Sequence, residues 1–390
     1  MPKIKKPKKT NQNASHRNNK HREGSSNQSK QQNHYPPRTA QFPLALSFDD
    51  VLLKPQYSKI KSRSEINLET QLSPYLKLEI PLMTTNMDTV TGVEMAVKIS
   101  ELGGLGLLPR FCAPEKQADQ VAEVIKKKQI AAASVGIKKG FLERAEMLVN
   151  AGATIINVDV AHGHLEGAIE ATRKIRNKFG KRITIISGIT ATAEAAEAHY
   201  EAGADCISVG VGSGSICTTR IMTGCGIPEF SSLMDVARAA KKHNKTFISI
   251  AGVNNSGDVV KTLATGAAAV CAGYMFAGTD EAPPEIVEIK GKKYKEYSGS
   301  TAKKEKVKQV GKYGANKGAN YTKHVEGVEG LVEYRGAVAD VVEEVLAGVK
   351  SGISYCGAEN ITELQERAEF IRVTAGGFRE SGAHDVFVMG

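Results

Sequence analysis

Ala202-Gly203-Ala204-Asp205-Cys206-Ile207-Ser208-Val209 contains one repeating unit of the fold: a helix end, a glycine turn and a short strand. The apolar run Cys206 to Val209 is continuous rather than alternating, which marks a parallel strand buried on both faces. Gly203 suits the left-handed conformation that closes a helix, and Ala151-Gly152-Ala153 and Thr265-Gly266-Ala267 repeat the device. Seven more runs of strand length lie at 80–83, 104–108, 131–135, 154–158, 183–186, 246–250 and 268–271, alternating with stretches of helical length. Eight β-then-α units over about 250 residues predict an α/β fold of the (β/α)8 TIM-barrel type, with its chemistry in the loops after the strands. An open dinucleotide-binding sheet is the alternative, but no GxGxxG follows the first strand.

The rest of the composition fits one such barrel with additions. The 390 residues include 38 glycines and carry a formal charge of +10. Residues 1–42 hold ten Lys/Arg against Glu23, so 10 − 1 = +9 lies in a basic tail that is expected to be disordered. The remaining residues then hold 52 − 10 = 42 basic and 42 − 1 = 41 acidic side chains, a net of +1. No apolar signal region or membrane-length run is visible, so a cytoplasmic, membrane-free protein is expected. The six cysteines contain no CxxC and no zinc spacing, which favours a reducing compartment. A Lys/Gly/Ser-rich excursion at about 290–326 interrupts the rhythm and predicts a lid or mobile flap, with a solvated hairpin as the plainer alternative. A helical pattern at 338–350 and the segment 370–374 close the chain.

The loop after the sixth strand reads Gly210-Val211-Gly212-Ser213-Gly214-Ser215-Ile216-Cys217-Thr218-Thr219-Arg220. Its glycines let the backbone turn and offer N–H groups to an anion, and Ser215 adds a hydroxyl. Cys217 follows these donors and precedes Arg220, a setting that favours a thiolate nucleophile. Cys206 and Cys271 lie inside apolar strands and are expected to be inert.

With Thr223-Gly224-Cys225-Gly226-Ile227-Pro228 behind it, this loop resembles the catalytic loop of the IMP dehydrogenase/GMP reductase family. Further segments resemble the family in the same order: Ser47 to Leu53, Asn86-Met87-Asp88-Thr89-Val90, Val158 to His164, Ala277 to Pro283 and Arg379 to Val386. The resemblance covers about 43–390 and implies the same (β/α)8 barrel. Arg110 leads through one helix at 115–128 into the third strand, so the CBS regulatory domains of larger relatives are not expected.

The resemblance implies a Cys217 thiolate attacking C2 of a purine nucleoside monophosphate. It implies Thr219 and Glu326 as the proton-handling pair, with Glu329 a competing carboxylate. Met87, Ser215, Gly252, Gly273, Tyr297 and Gly299 match substrate-binding positions, several of them around the phosphate. Asp159, His162, Gly210 and Gly212 match cofactor-binding positions, the cofactor being NAD, or NADP in a reductase. Gly212, Gly214 and Cys217, with Glu380, Ser381 and Gly382 from a neighbouring subunit, match a monovalent-cation site for K+ and imply a homotetramer.

The two directions of the family share one adduct. A dehydrogenase converts IMP, NAD+ and water to XMP and NADH; a reductase converts GMP and NADPH to IMP and ammonia. The long flap and the 379–386 ending favour dehydrogenase, with Lys312-Tyr313 at the spacing of the family's water-activating Arg-Tyr pair. Asn86 and Thr223 lean toward reductase. Ile250 stands where the family carries a ribose-binding aspartate, and losing such a contact costs about 1–3 kcal/mol. Ile189 and Tyr274 are further departures near the substrate. They leave open a catalytically weak barrel that binds nucleotide, or RNA through its tail; nonspecific nucleic-acid contact is the ordinary expectation for such a tail.

Overall fold

The computed structural model describes residues 42–313 and 321–386. The expected basic tail lies outside the described residues except for Phe42. Eight strands form the wall: β1 Leu82–Thr84, β2 Leu105–Leu108, β3 Ala132–Val135, β4 Ile155–Asp159, β5 Thr184–Thr190, β6 Cys206–Val209, β7 Thr246–Ser249 and β8 Ala269–Ala272. Each pairs in parallel with its successor and β8 pairs back to β1, so the sheet closes into a barrel. All eight apolar runs are therefore strands of one wall.

The helices between them are α1 Val93–Glu101, α2 Pro114–Lys126, α3 Phe141–Asn150, α4 Glu166–Phe179, α5 Ala193–Glu201, α6 Glu229–His243 and α7 Ser256–Ala264, with α8 Val338–Tyr355 after the flap. Only α2 stands between β2 and β3, starting with Pro114, whose missing N–H is no loss in a first turn. Thr192 and Asn255 cap α5 and α7 by accepting from Ala195 N and Asp258 N. The three repeated glycine turns end helices as the sequence suggests: Gly152, Gly203 and Gly266 have φ of 110°, 105° and 103°.

Inside the barrel, Met83, Leu105, Leu107, Ile155, Ile186 and Ile248 interdigitate, and Leu72 and Leu78 of a hairpin at 70–78 join them. Burying each such side chain is worth about 1.5–3 kcal/mol, so this layer makes the wall stiff. Cys206 and Cys271 belong to it, and burial pushes both thiols up to about 12, consistent with inert cysteines. Val51–Leu53 and Phe370–Arg372 pair antiparallel outside the barrel and tie the two ends of the fold together.

Among the described residues the polar excursion holds more than the bare hairpin of the plainer alternative. Strands β9 Ile286–Ile289, β10 Lys292–Ser298 and β11 Glu329–Glu333 form an antiparallel sheet, and a helix, Lys303–Tyr313, lies between β10 and β11. Lys290 and Gly291, with φ of 51° and 76°, make the two-residue turn that matches strand twist in a hairpin. At its base, Lys295 Nζ donates to the carbonyls of Thr279, Asp280 and Ala282 at 2.7, 3.1 and 2.7 Å.

Candidate active site

The C-terminal ends of the strands open on a cavity with Cys217 in its lining. The loop that carries Cys217 turns at Gly210 and Gly212, whose φ values of 142° and 77° exclude ordinary side chains. Cys217 N donates to Gly214 O at 3.0 Å, which holds the thiol at the end of a tight turn.

The flap brings the rest of the constellation. Its return segment lies against the loop, with Thr218 N donating to Glu326 O and Val328 N to Ile216 O, each at 3.0 Å. Glu326 thereby reaches Thr219: Thr219 Oγ1 donates to Glu326 Oε2 at 2.8 Å, and Cys217 Sγ donates to Thr219 Oγ1 at 3.2 Å. A thiol, a hydroxyl and a carboxylate thus form one hydrogen-bonded line along which a proton can pass. Glu329 is not part of it; its Oε1 accepts from Lys304 N at 2.7 Å. Arg220 does not serve the thiol either. Its guanidinium donates to Ser213 Oγ at 2.8 Å and Ile227 O at 2.6 Å, because the short helix Thr219–Thr223 turns it toward the back of the loop.

A smaller cavity lies beside the first and gathers Ser215, Gly252, Gly273 and Tyr297. A Cβ on Gly273 would sit 2.6 Å from Tyr297 Oη, so only glycine lets the hydroxyl approach. Tyr297 bonds Ser215, and burial pushes the phenol up to about 12, so it stays a donor. Backbone and hydroxyl donors therefore converge where a phosphate can be held. Met87 and Gly299 line the larger cavity, as do Ile189 and Ile250. Tyr274 lines the smaller one, with the Arg335 guanidinium 4.8 Å from its ring.

On the opposite wall, Asp159 ends β4 and its Oδ2 accepts from Arg110 Nε at 2.7 Å. Arg110 lines the same cavity and stacks over Phe111 at 4.4 Å. The loop after β4 is pinned by Gly163, whose N–H donates to Ile189 O at 2.6 Å. Buried His199 contacts the Gly163 carbonyl through Nε2 at 2.9 Å, and burial lowers its pKa and favours the neutral ring. His162 is exposed and lines neither cavity. Gly210 and Gly212 line the larger one, whereas Glu380, Ser381 and Gly382 are exposed beyond the helix Ala375–Arg379. A single chain brings together only Gly212, Gly214 and Cys217 of the expected cation set. Lys312 and Tyr313 end the flap helix, and their side chains lie outside the described residues.

Three residues were not singled out by sequence. Arg110 closely follows β2 and was findable from its place at a strand end. Lys306 is 6% exposed in the flap helix; its Nζ donates to the His324 carbonyl and lies 4.9 Å from the Tyr321 ring centroid. Glu229 opens α6 after Pro228, where an acid reads as an ordinary first-turn residue.

A model described as the IMP dehydrogenase / GMP reductase domain matches residues 45–384. The inosine-5'-monophosphate dehydrogenase of Nitrosopumilus maritimus (strain SCM1) is 33% identical over 90% of this chain and 100% of its own length. The GMP reductase of Leishmania major is 31% identical over 88% of this chain and 97% of its own. A crystal structure of GMP reductase from Trypanosoma brucei in complex with guanosine 5'-monophosphate superposes with a TM-score of 0.82 at 29% identity, covering 89% of this chain and 99% of that one.

Proposed function

The chain belongs to the IMP dehydrogenase/GMP reductase family, and on that premise we propose that it oxidises IMP to XMP through a covalent adduct on Cys217. The carrying observation is the formed line Cys217–Thr219–Glu326. Members of this family are NAD(P)-dependent oxidoreductases. Asp159 fits a cofactor ribose, since Arg110 engages only Oδ2 and leaves Oδ1 for a hydroxyl. A bound nicotinamide would supply the hydride acceptor.

In this reading the donors around Ser215, Gly252, Gly273 and Tyr297 hold the nucleotide phosphate. Cys217 gives its proton toward Thr219 and Glu326, and its sulfur bonds to C2 of the purine. Departure of hydride from C2 leaves a thioimidate. Water then adds at C2, the C–S bond breaks and the thiol recovers its proton. Lys312 and Tyr313 are the proposed water-activating pair, on their position in the flap.

One observation favours the reverse chemistry as a second reading. The Thr219–Glu326 pair is already formed, and a relay of this kind can protonate a departing amine, as expulsion of ammonia from GMP requires. Incubation with IMP plus NAD+, and separately with GMP plus NADPH, followed by nicotinamide absorbance, separates the two. A rise in the first mixture supports dehydrogenase, a fall in the second supports reductase, and silence in both counts against either. Cys217→Ala should reduce the surviving signal by at least about 10³-fold; activity persisting in that variant would remove the nucleophile assignment.

The same family premise carries a K+ site shared by Gly212, Gly214 and Cys217 with Glu380, Ser381 and Gly382 of the partner subunit, and hence a homotetramer. Activity in K+ against Na+, with sedimentation for the assembly, tests both. A cytoplasmic location is proposed; among the described residues no helix is long and apolar enough to cross a membrane. The +9 tail supports weak, salt-sensitive nucleic-acid contact that deletion of residues 1–42 should remove without loss of activity.

A further inference from the structure

Behind the nucleotide cavities lies a carboxyl that no step above uses. Glu229 is 3% exposed, and its Oε1 accepts from Ser249 Oγ at 2.7 Å. Ser249 is fully buried at the end of β7, next to Ile250 and Ala251 of the cavity lining. Oε2 makes no hydrogen bond of standard geometry, and the Ser213 hydroxyl of the loop after β6 is a polar group that faces it. Ser213 Oγ in turn accepts from Arg220 at 2.8 Å.

The glycines around this carboxyl show how closely the two loops are built on it. A Cβ on Gly210 would stand 3.2 Å from Glu229 Oε2 and 2.9 Å from Ala251 Cβ. One on Gly252 would stand 3.3 Å from Glu229 Cβ and 3.6 Å from Ser213 Cβ. Gly210 and Ala251 line the cavity of Cys217, and Gly252 lines the smaller one. The carboxyl is therefore a back plate to both compartments.

We propose that Glu229 is a positioning residue for the nucleotide: its carboxyl joins the loop after β6 to the loop after β7 from behind, and the two loops form the cradle only in that register. The inference rests on the functional reading above, since it concerns the same nucleotide. Burial pushes the Glu229 carboxyl up to about 8, so near neutral pH it carries its proton. In that form it offers an acceptor to Ser249 and a donor toward Ser213. Loss of the proton places a charge in the wall. Arg220 is the charged group facing it, and Ser213 and Ser249 are neutral. Nucleotide affinity should accordingly fall as pH rises through about 8.

The test is calorimetric binding of IMP and of GMP, with KM and kcat measured separately for the active direction. Glu229→Gln reproduces the acceptor and donor and cannot ionise, so it should bind as the parent does near neutral pH and lose the alkaline weakening. Ionisation of the purine itself appears in both proteins and cancels. Glu229→Ala should weaken nucleotide binding and raise KM about tenfold while kcat at saturation changes far less. Should that variant fail to fold, Ser249→Ala removes the Oε1 tie alone and should shift KM in the same direction by about threefold. Unchanged binding in the alanine variants, or an alkaline weakening as large in Glu229→Gln as in the parent, overturns the inference. A parent protein that binds neither nucleotide overturns the functional reading and the inference with it.

Discussion

The barrel wall and the flap bury opposite kinds of side chain. The wall hides Leu105, Ile155 and Ile186, whereas the flap helix hides Glu305, Lys306 and Gln309. Apolar burial is non-directional, and its driving force scales with area, so the wall is stable without any one partner. Polar burial needs particular acceptors. Lys306 has the His324 carbonyl, Gln309 has the Ser300 carbonyl at 3.1 Å, and Lys295 has its three-carbonyl cage. Each such bond replaces one to water, so its net worth is about 0.5–1.5 kcal/mol for the amide and about 1.5–3 kcal/mol for a charged donor, small beside the summed burial of the wall. The seated flap is a specific but weakly held state, and Glu326 meets Thr219 through it. Stability should therefore be a property of the wall, and turnover a property of the flap.

The sharpest break of that division would come from Glu326→Gln. It keeps the shape of the flap contact but removes the carboxylate from the relay, so kcat should fall about 10²–10⁴-fold with Tm unchanged. A matched loss of Tm would mean that the relay also holds the fold. The converse variant is Leu105→Ala in the barrel interior, where the side chain is fully buried. It should cost about 2–5 kcal/mol in denaturant unfolding and leave the KM for nucleotide close to that of the parent. A large KM change there would show the wall tuning the site.

The same division explains what could be read from sequence. The eight strands were legible because a continuous apolar run has few other uses in a chain of this length. Cys217 and Thr219 were legible through the loop that carries them. Glu326 rested on the family resemblance, because Glu329 lies three residues away in a similar setting. The hydrogen bond from Thr219 to Glu326 agrees with that choice, and it spans about a hundred residues of chain. Arg220 shows the opposite case: it is near Cys217 in sequence, yet a single helical turn sends its guanidinium to Ser213 and Ile227. Glu229 and Lys306 sit in helices where charge normally faces water. Their burial is a tertiary fact with no local signature, which is why the flap's polar seat and the back plate of the cradle emerged only in three dimensions.

The smallest expected effect probes that seat directly. In Lys306→Met the stem keeps its length and its apolar packing near Tyr321, but the donor to the His324 carbonyl is gone. Removing one partner of a buried pair costs about 1–3 kcal/mol, and here the cost falls on the seated flap rather than on the barrel. Because burial already lowers the pKa of Lys306, part of the ammonium's cost disappears with it, and the lower end of that range applies. Turnover should drop about tenfold, and proteolytic nicking within the flap should accelerate by a similar factor. The barrel's Tm should stay within a degree or two of the parent's. If nicking is unchanged while turnover falls, Lys306 acts on the reaction through Glu326 and not by seating the flap, and the boundary between the two regions moves inward to the relay itself.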